Sequence, residues 1–270
     1  SDANARRPES IFEAVYGDLY ATYKNELSSD SRKCQNPQWM KKLQIIDSTT
    51  ITLFSNLIFK GIGRNPKSGK KKGGIKVHSN IHANEGVPSD IRFTSAATND
   101  CFMLKPSNYK NGDILAFDRA YIDYEKFEEL TKNEVIYVTK MKRNLVYTIQ
   151  DDIMYMTAEG KMMHRVQNVS FTKKVKEGND IIHKARIITY VDVKKTKAKL
   201  ISLLTNDFSM EIEEIVDIYR QRWQIELLFK QLKQNFPLRY FYGESSNAIK
   251  IQIWTTLIAN LLLMVIQKRI

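Results

Sequence analysis

A change of hydrophobic period along the chain limits its possible folds more than any other feature. Residues 43–140 are built from short runs rich in β-branched residues, residues 142–206 from alternating strands, and residues 209–268 from apolar positions three and four apart. The segment LQIIDSTTITLF (43–54) reads as a strand with Asp47 set inside it. Segments 75–83 and 87–96 flank Asn84-Glu85-Gly86, a hairpin signal. After the Asn111-Gly112-Asp113 turn, ILAF (114–117) predicts a strand that ends at Asp118, followed by a helix over 124–131 and a strand over 135–140. Hairpin strands followed by strand, helix and strand predict an α/β core, a mixed sheet with helices packed on it. The alternation across 142–206, with strand RIITYVDV (186–193) and Lys-rich turns at 173–176 and 194–199, predicts a mostly β insertion. One long helix over 209–234 and a second over 246–268 complete the core. Ahead of it, Ile11, Val15, Leu19 and Tyr23 stand four apart and predict the apolar face of a lead-in helix. The organisation expected is therefore a lead-in over 1–42, a first core part over 43–141, the insertion over 142–206 and a second core part over 207–270.

Charge indicates the partner. With 42 Lys and Arg against 30 Asp and Glu, the formal net charge of +12 favours a polyanion, with nucleic acid first and an anionic membrane surface second. The two cysteines, Cys34 and Cys101, lie far apart without metal-ligand spacing, which fits a reducing, cytoplasmic setting. No signal peptide is evident, and 249–266 is interrupted by Gln252, Thr255, Thr256 and Asn260, so it reads as a core helix and not a membrane span. The absence of an initiator Met and the abrupt end MVIQKRI lead to the expectation of an excerpt from a longer protein.

Three carboxylates stand out. A carboxylate inside a β-branched strand is costly unless paired or metal-bound, which singles out Asp47, and Asp118 repeats the arrangement at the end of ILAF. Either aspartate alone could be a turn or cap residue. On the predicted 209–234 helix, Tyr219, Arg222, Glu226 and Lys233 fall within an arc of about 60° at 100° per residue, with apolar residues around the stripe. That face could be a solvated ion-pair stripe or the wall of a ligand cleft. Three such carboxylates could hold a pair of divalent ions, Mg²⁺ with Mn²⁺ as a substitute, for in-line displacement at phosphate.

The spacing Tyr219-x2-Arg222-x3-Glu226-x6-Lys233 resembles the tyrosine-arginine-glutamate-lysine signature of the IS4-type insertion-sequence transposases, of the DDE transposase family. IIDSTT is similar to that family's first-aspartate motif and AFDRAYID to its second, with Ala120 where the family commonly has Gly. The resemblance implies an RNase H-like fold, with a β-rich insertion before the glutamate helix. It implies Asp47, Asp118 and Glu226 as metal ligands, and Tyr219, Arg222 and Lys233 on phosphates or a displaced base. The implied reaction is cleavage at element ends and strand transfer into target duplex DNA, by a homodimer when DNA-bound. It also leads to the expectation of a separate DNA-binding region ahead of residue 1. The alternatives left open are an RNase H-like nuclease without strand transfer and an inactive DNA-binding remnant.

Residues 60–76 hold seven basic residues and no acid, so Lys70, Lys71, Lys72 and Lys76 are candidates for tracking DNA phosphates. This is no nucleotide-binding loop, since Lys71 follows Gly69-Lys70 where Ser or Thr would be needed. His78 and His82 lack helical zinc spacing, His164 and His183 read as isolated, and the pairs Asp151-Asp152, Glu128-Glu129 and Glu213-Glu214 read as solvated.

Overall fold

The computed structural model describes residues 2–28, 36–52, 74–160, 162–175, 179–194, 197–236, 238, 241–243 and 245–269. In chain order its elements are α1 (Asp2–Arg6), α2 (Glu9–Ser28), β1 (Leu43–Thr52), β2 (Gly74–His82), β3 (Pro88–Ser95), β4 (Ile114–Phe117) and α3 (Tyr124–Lys132). They continue with β5 (Ile136–Lys140), β6 (Thr148–Met156), β7 (Met162–Lys173), β8 (Ile181–Lys194), β9 (Lys197–Thr205), α4 (Ile212–Gln221), α5 (Trp223–Asn235) and α6 (Ser246–Arg269). The chain divides into two compact units, the first made of residues 1–41, 47–103 and 223–270, the second of 42–46 and 104–222.

In the first unit the strand order is β3-β2-β1. The β2–β3 hairpin forms as the sequence predicts. Gly86 takes φ +72° in its turn, a left-handed conformation that favours glycine, and Val77 lies opposite Phe93 in an antiparallel ladder. Helix α6 is the main helical partner, and its Trp254 ring meets Phe93 edge-on at 5.4 Å and Tyr16 of α2 at 5.5 Å. By length and apolarity α6 could cross a membrane, with a mean hydropathy of 1.8 in its most apolar window, yet half of that window is buried within the protein. This agrees with its reading as a core helix.

The lead-in helix α2 forms, but with a different face inward. Tyr16 and Leu27 are buried while Ile11 and Val15 stand 53% and 43% exposed. Apolar spacing located the helix, but the tyrosine line turned out to be the packed one. A buried tyrosine needs a partner for its hydroxyl, and Tyr16 donates to the carbonyl of Pro88 at 2.6 Å.

The second unit carries a large mixed sheet in the order β1-β4-β5-β9-β8-β7-β6, the α/β arrangement expected. The first residues of β1 pair in parallel with β4, Leu43 opposite Ile114 and Ile46 opposite Phe117, and β4 pairs in parallel with β5. From β5 onward the pairing is antiparallel, with β9 next to β5 and then the long β8, β7 and β6. Four antiparallel strands thus occupy the stretch read as β-rich. The outermost, β6, is exposed at every position. Helix α3 packs an aromatic layer on the central strands, where Phe127 stacks on Tyr137 at 4.1 Å and lies 5.8 Å from Phe117.

The single helix expected over 209–234 is two helices. At Arg222 the backbone N–H bonds to the carbonyl of Tyr219 at 3.2 Å, an i−3 bond that tightens and ends α4 before α5 starts at Trp223. Helix α4 belongs to the second unit and α5 to the first. The apolar periodicity runs through the break because Ile215 and Ile218 on one side, and Ile225, Leu228 and Leu232 on the other, are all buried. Helix α5 is not buried all round, since Trp223 is 57% and Leu227 50% exposed.

Candidate active site

Asp47 lies where β1 passes from a fully buried stretch, Leu43 to Ile46, to half-buried positions. Its Oδ1 accepts the backbone N–H of Ser48 at 2.8 Å. The next residues are held firmly. Ser48 Oγ donates to Asp100 Oδ1 at 2.6 Å, and Lys76 Nζ donates to the same oxygen at 3.0 Å and to the carbonyl of Thr98 at 2.6 Å. Burial pushes the Asp100 carboxyl up, but the hydrogen bonds from Ser48 and Lys76 outweigh it and leave the group below its usual value. From α5, Lys233 Nζ reaches Thr49 Oγ1 at 2.5 Å and the carbonyl of Thr50 at 3.3 Å. Burial holds the Lys233 ammonium below the usual lysine range. A predicted site residue is thereby fastened to the strand of Asp47, two residues further along.

Asp100 was missed in the sequence, where nothing singles it out. Its role depends on Ser48 and Lys76, 52 and 24 residues away, so no local pattern announces it. Lys76 departs from its expected place. Its side chain is 11% exposed and is ion-paired inside the protein, so it does not extend from the basic loop. Lys70, Lys71 and Lys72 lie outside the described residues.

Asp118 follows β4 and caps a short turn of 3-10 helix, its Oδ1 accepting the N–H of Arg119 at 2.5 Å. Capping thus uses one of its oxygens. Lys140, at the end of β5, is held below the usual lysine range by burial and by the charges of Lys199, Arg119 and Arg222, with Asp118 opposing. On α4 and its cap, the Arg222 guanidinium stands 5.6 Å from the centre of the Tyr219 ring. Glu226 is half-buried in the first turn of α5. Asp47, Glu226 and Lys233 therefore belong to the first unit, and Asp118, Tyr219 and Arg222 to the second. Tyr219 and Arg222 thus stand before the break between α4 and α5, and Glu226 and Lys233 after it.

Among the described residues no three His, Cys, Asp or Glu side chains stand close enough together to hold a metal ion. The donor chemistry of Asp47, Asp118 and Glu226 still suits a hard divalent cation, being oxygen only. Two of the histidines are built into the core. His78 is fully buried and bonds Thr94 Oγ1 at 2.7 Å. Its pKa is lowered to about 4 by burial, with Lys76 adding to the shift. His183 is not isolated but lies in a buried chain, 2.7 Å from the Tyr137 hydroxyl and 3.1 Å from Glu128 Oε2. Glu128, read as solvated, is thus the end of that chain.

Residues 38–262 match the model of the transposase DDE domain family. A protein of Sinorhizobium fredii named as transposase y4zB is 28% identical over 263 residues, covering 97% of this chain and 69% of its own length. A protein of Synechocystis named as a transposase for insertion sequence element IS4SA is 27% identical, with 97% and 69% covered. One of Geobacillus stearothermophilus, named for element IS5377, is 24% identical over 223 residues, 83% of this chain and 56% of that protein. With the mixed sheet and its flanking helices in place, and a family match over most of its length, the chain belongs to the DDE transposase domain family.

Proposed function

We propose that the chain cleaves DNA at the ends of an insertion element and joins those ends to target DNA, with Asp47, Asp118 and Glu226 as its catalytic carboxylates. One observation carries the assignment. Strands β1 and β4 run parallel with Ile46 opposite Phe117, and these are the residues immediately before Asp47 and Asp118. An aspartate thus follows the paired stretch of each strand, and for Asp118 this is the carboxyl end of β4, where α/β folds place active groups.

Asp47, Asp118 and Glu226 would hold Mg²⁺ or Mn²⁺, which when bound supplies an activated oxygen nucleophile and charge stabilisation at phosphate. The chain's own contribution is positioning. Lys233 has three N–H donors, of which two meet Thr49 and Thr50, leaving one for a DNA phosphate beside β1. Tyr219 backs the Arg222 guanidinium, whose planar fork suits a phosphate bidentately. Element ends and target duplex are the substrates, and bringing two ends together makes a homodimer on DNA the working form.

The test is cleavage of a duplex carrying the element end by single alanine variants at Asp47, Asp118 and Glu226. Each should lose at least about a thousandfold in rate while retaining the wild-type circular dichroism. Undiminished cleavage by any one of them removes that residue from the set. Pre-cut ends incubated with a target plasmid should give joined products, and hydrolysis without joining would reduce the activity to that of a nuclease.

A further inference from the structure

Methionine gathers at one end of the second unit's sheet. Of the nine methionines in the chain, four lie between residues 154 and 163, where β6 ends and β7 begins. Met154, Met156 and Met163 are each about half exposed and Met162 is partly covered, so core packing does not account for them.

The pairing of the two strands turns these side chains to a common face. Tyr155 lies opposite His164 and Met156 opposite Met162, which makes Met163 an extra residue on β7. Such a bulge sets Met162 and Met163 together against Met156. Met154 and Met156 share a face of β6 by the two-residue alternation of a strand. Met163 falls on that face as well, two residues before Arg165, the cross-strand partner of Met154. The rings of Tyr155 and His164 take the other face, 4.4 Å apart. On the methionine face the charge of Arg165 is already matched by Asp152, and Glu159 in the turn adds a negative charge.

A thioether sulfur is a poor ligand for hard ions such as Mg²⁺ but a good one for a soft ion such as Cu⁺. Directly opposed strand residues have Cβ atoms about 5 Å apart, and the flexible methionine side chain lets sulfurs from neighbouring positions converge on one centre. We propose that the bulged end of the β6–β7 pair is a binding site for a soft monovalent cation, Cu⁺, held by the thioether sulfurs of Met154, Met156, Met162 and Met163. The bound ion would tie β6 to β7 beyond the bulge.

The test is a titration with Cu⁺ under nitrogen against the chelator bathocuproine, in a Cys34→Ser, Cys101→Ser background because thiols would compete for the ion. The protein should take up one equivalent, with only sulfur neighbours in the copper X-ray absorption spectrum. The triple variant Met154→Leu, Met156→Leu, Met163→Leu preserves apolar volume and should lose that equivalent with an unchanged melting curve, whereas His164→Gln should keep it. A second readout needs no variant at the site. Peroxide transfers an oxygen atom to each exposed thioether, giving a sulfoxide and water, and Ag⁺ should slow this at Met154, Met156 and Met163 but not at Met40. Absence of uptake, an equivalent that survives the triple substitution, nitrogen neighbours at the copper, loss of the equivalent in His164→Gln, or uniform oxidation with and without Ag⁺ would each overturn the assignment.

Discussion

Lowering the pH should loosen the strand that supports Asp47, and the loss should be traceable to one imidazole. His78 is fully buried on β2, between Lys76 and the Thr94 hydroxyl, with Phe102 at 5.6 Å. Its folded-state pKa is about 4 against 6.5 for an unperturbed histidine. The folded value lies below the unfolded one, so between those two pH values the unfolded chain binds the extra proton. Stability contributed by neutral His78 is therefore complete above pH 6.5 and is lost progressively as the pH falls toward 4. From pH 7.5 to pH 5 the loss from this group comes to about 2 kcal/mol. Asp100 protonates below that window because its carboxyl is held under its usual value. His183 shifts in the same direction, so the measurement must be a difference. Urea unfolding of the wild type and of His78→Gln at both pH values provides it, glutamine keeping an amide for Thr94 while removing the titration. The wild type should lose about 2 kcal/mol more than the variant between the two conditions. Equal losses, within about 0.5 kcal/mol, would refute the argument that burial of His78 governs this acid sensitivity.

Two further outcomes follow from buried contacts. Tyr137→Phe strands the His183 ring nitrogen that the hydroxyl meets at 2.7 Å, at a cost of about 1–3 kcal/mol, which a melting curve should show as a drop of several degrees. Lys233→Met removes the two bonds to β1, so the unfolding midpoint should fall, and duplex binding should lose about one unit of salt slope where the third N–H meets a phosphate.

What the sequence disclosed and what it concealed divide by distance along the chain. The hairpin around Gly86 and strand ILAF were legible because each rests on a local signal, a positive-φ glycine and a short apolar run. The signature of Tyr219, Arg222, Glu226 and Lys233 was legible too, but the rigid helix inferred beneath it was not, since one i−3 bond at Arg222 leaves the apolar pattern intact. Contacts made over long separations left no trace. Lys233 meets a threonine 184 residues away, and His183 is completed by Tyr137 and Glu128, 46 and 55 residues distant. The aspartates were found as costly strand residues, whereas the framework that steadies the first of them, Ser48, Asp100 and Lys76, became visible only with the fold.

Strand β6 ends its sheet with every residue open to solvent, and Ile153, Met154, Tyr155 and Met156 stand in a row there without a proline. Such a run, one side of its backbone unpaired, is a template on which other chains could polymerise. Two features oppose that outcome. The pairing with β7 slips between Ile149 and Asp151 and again between Tyr155 and Met156, which twists the edge out of the flat form that stacking needs. Asp151, adjoining the apolar run, adds an exposed charge to the edge, while Asp152 is ion-paired with Arg165 of β7. An edge broken in register twice and carrying Asp151 is a poor template for such growth, a colloidal consequence separate from any part in handling DNA.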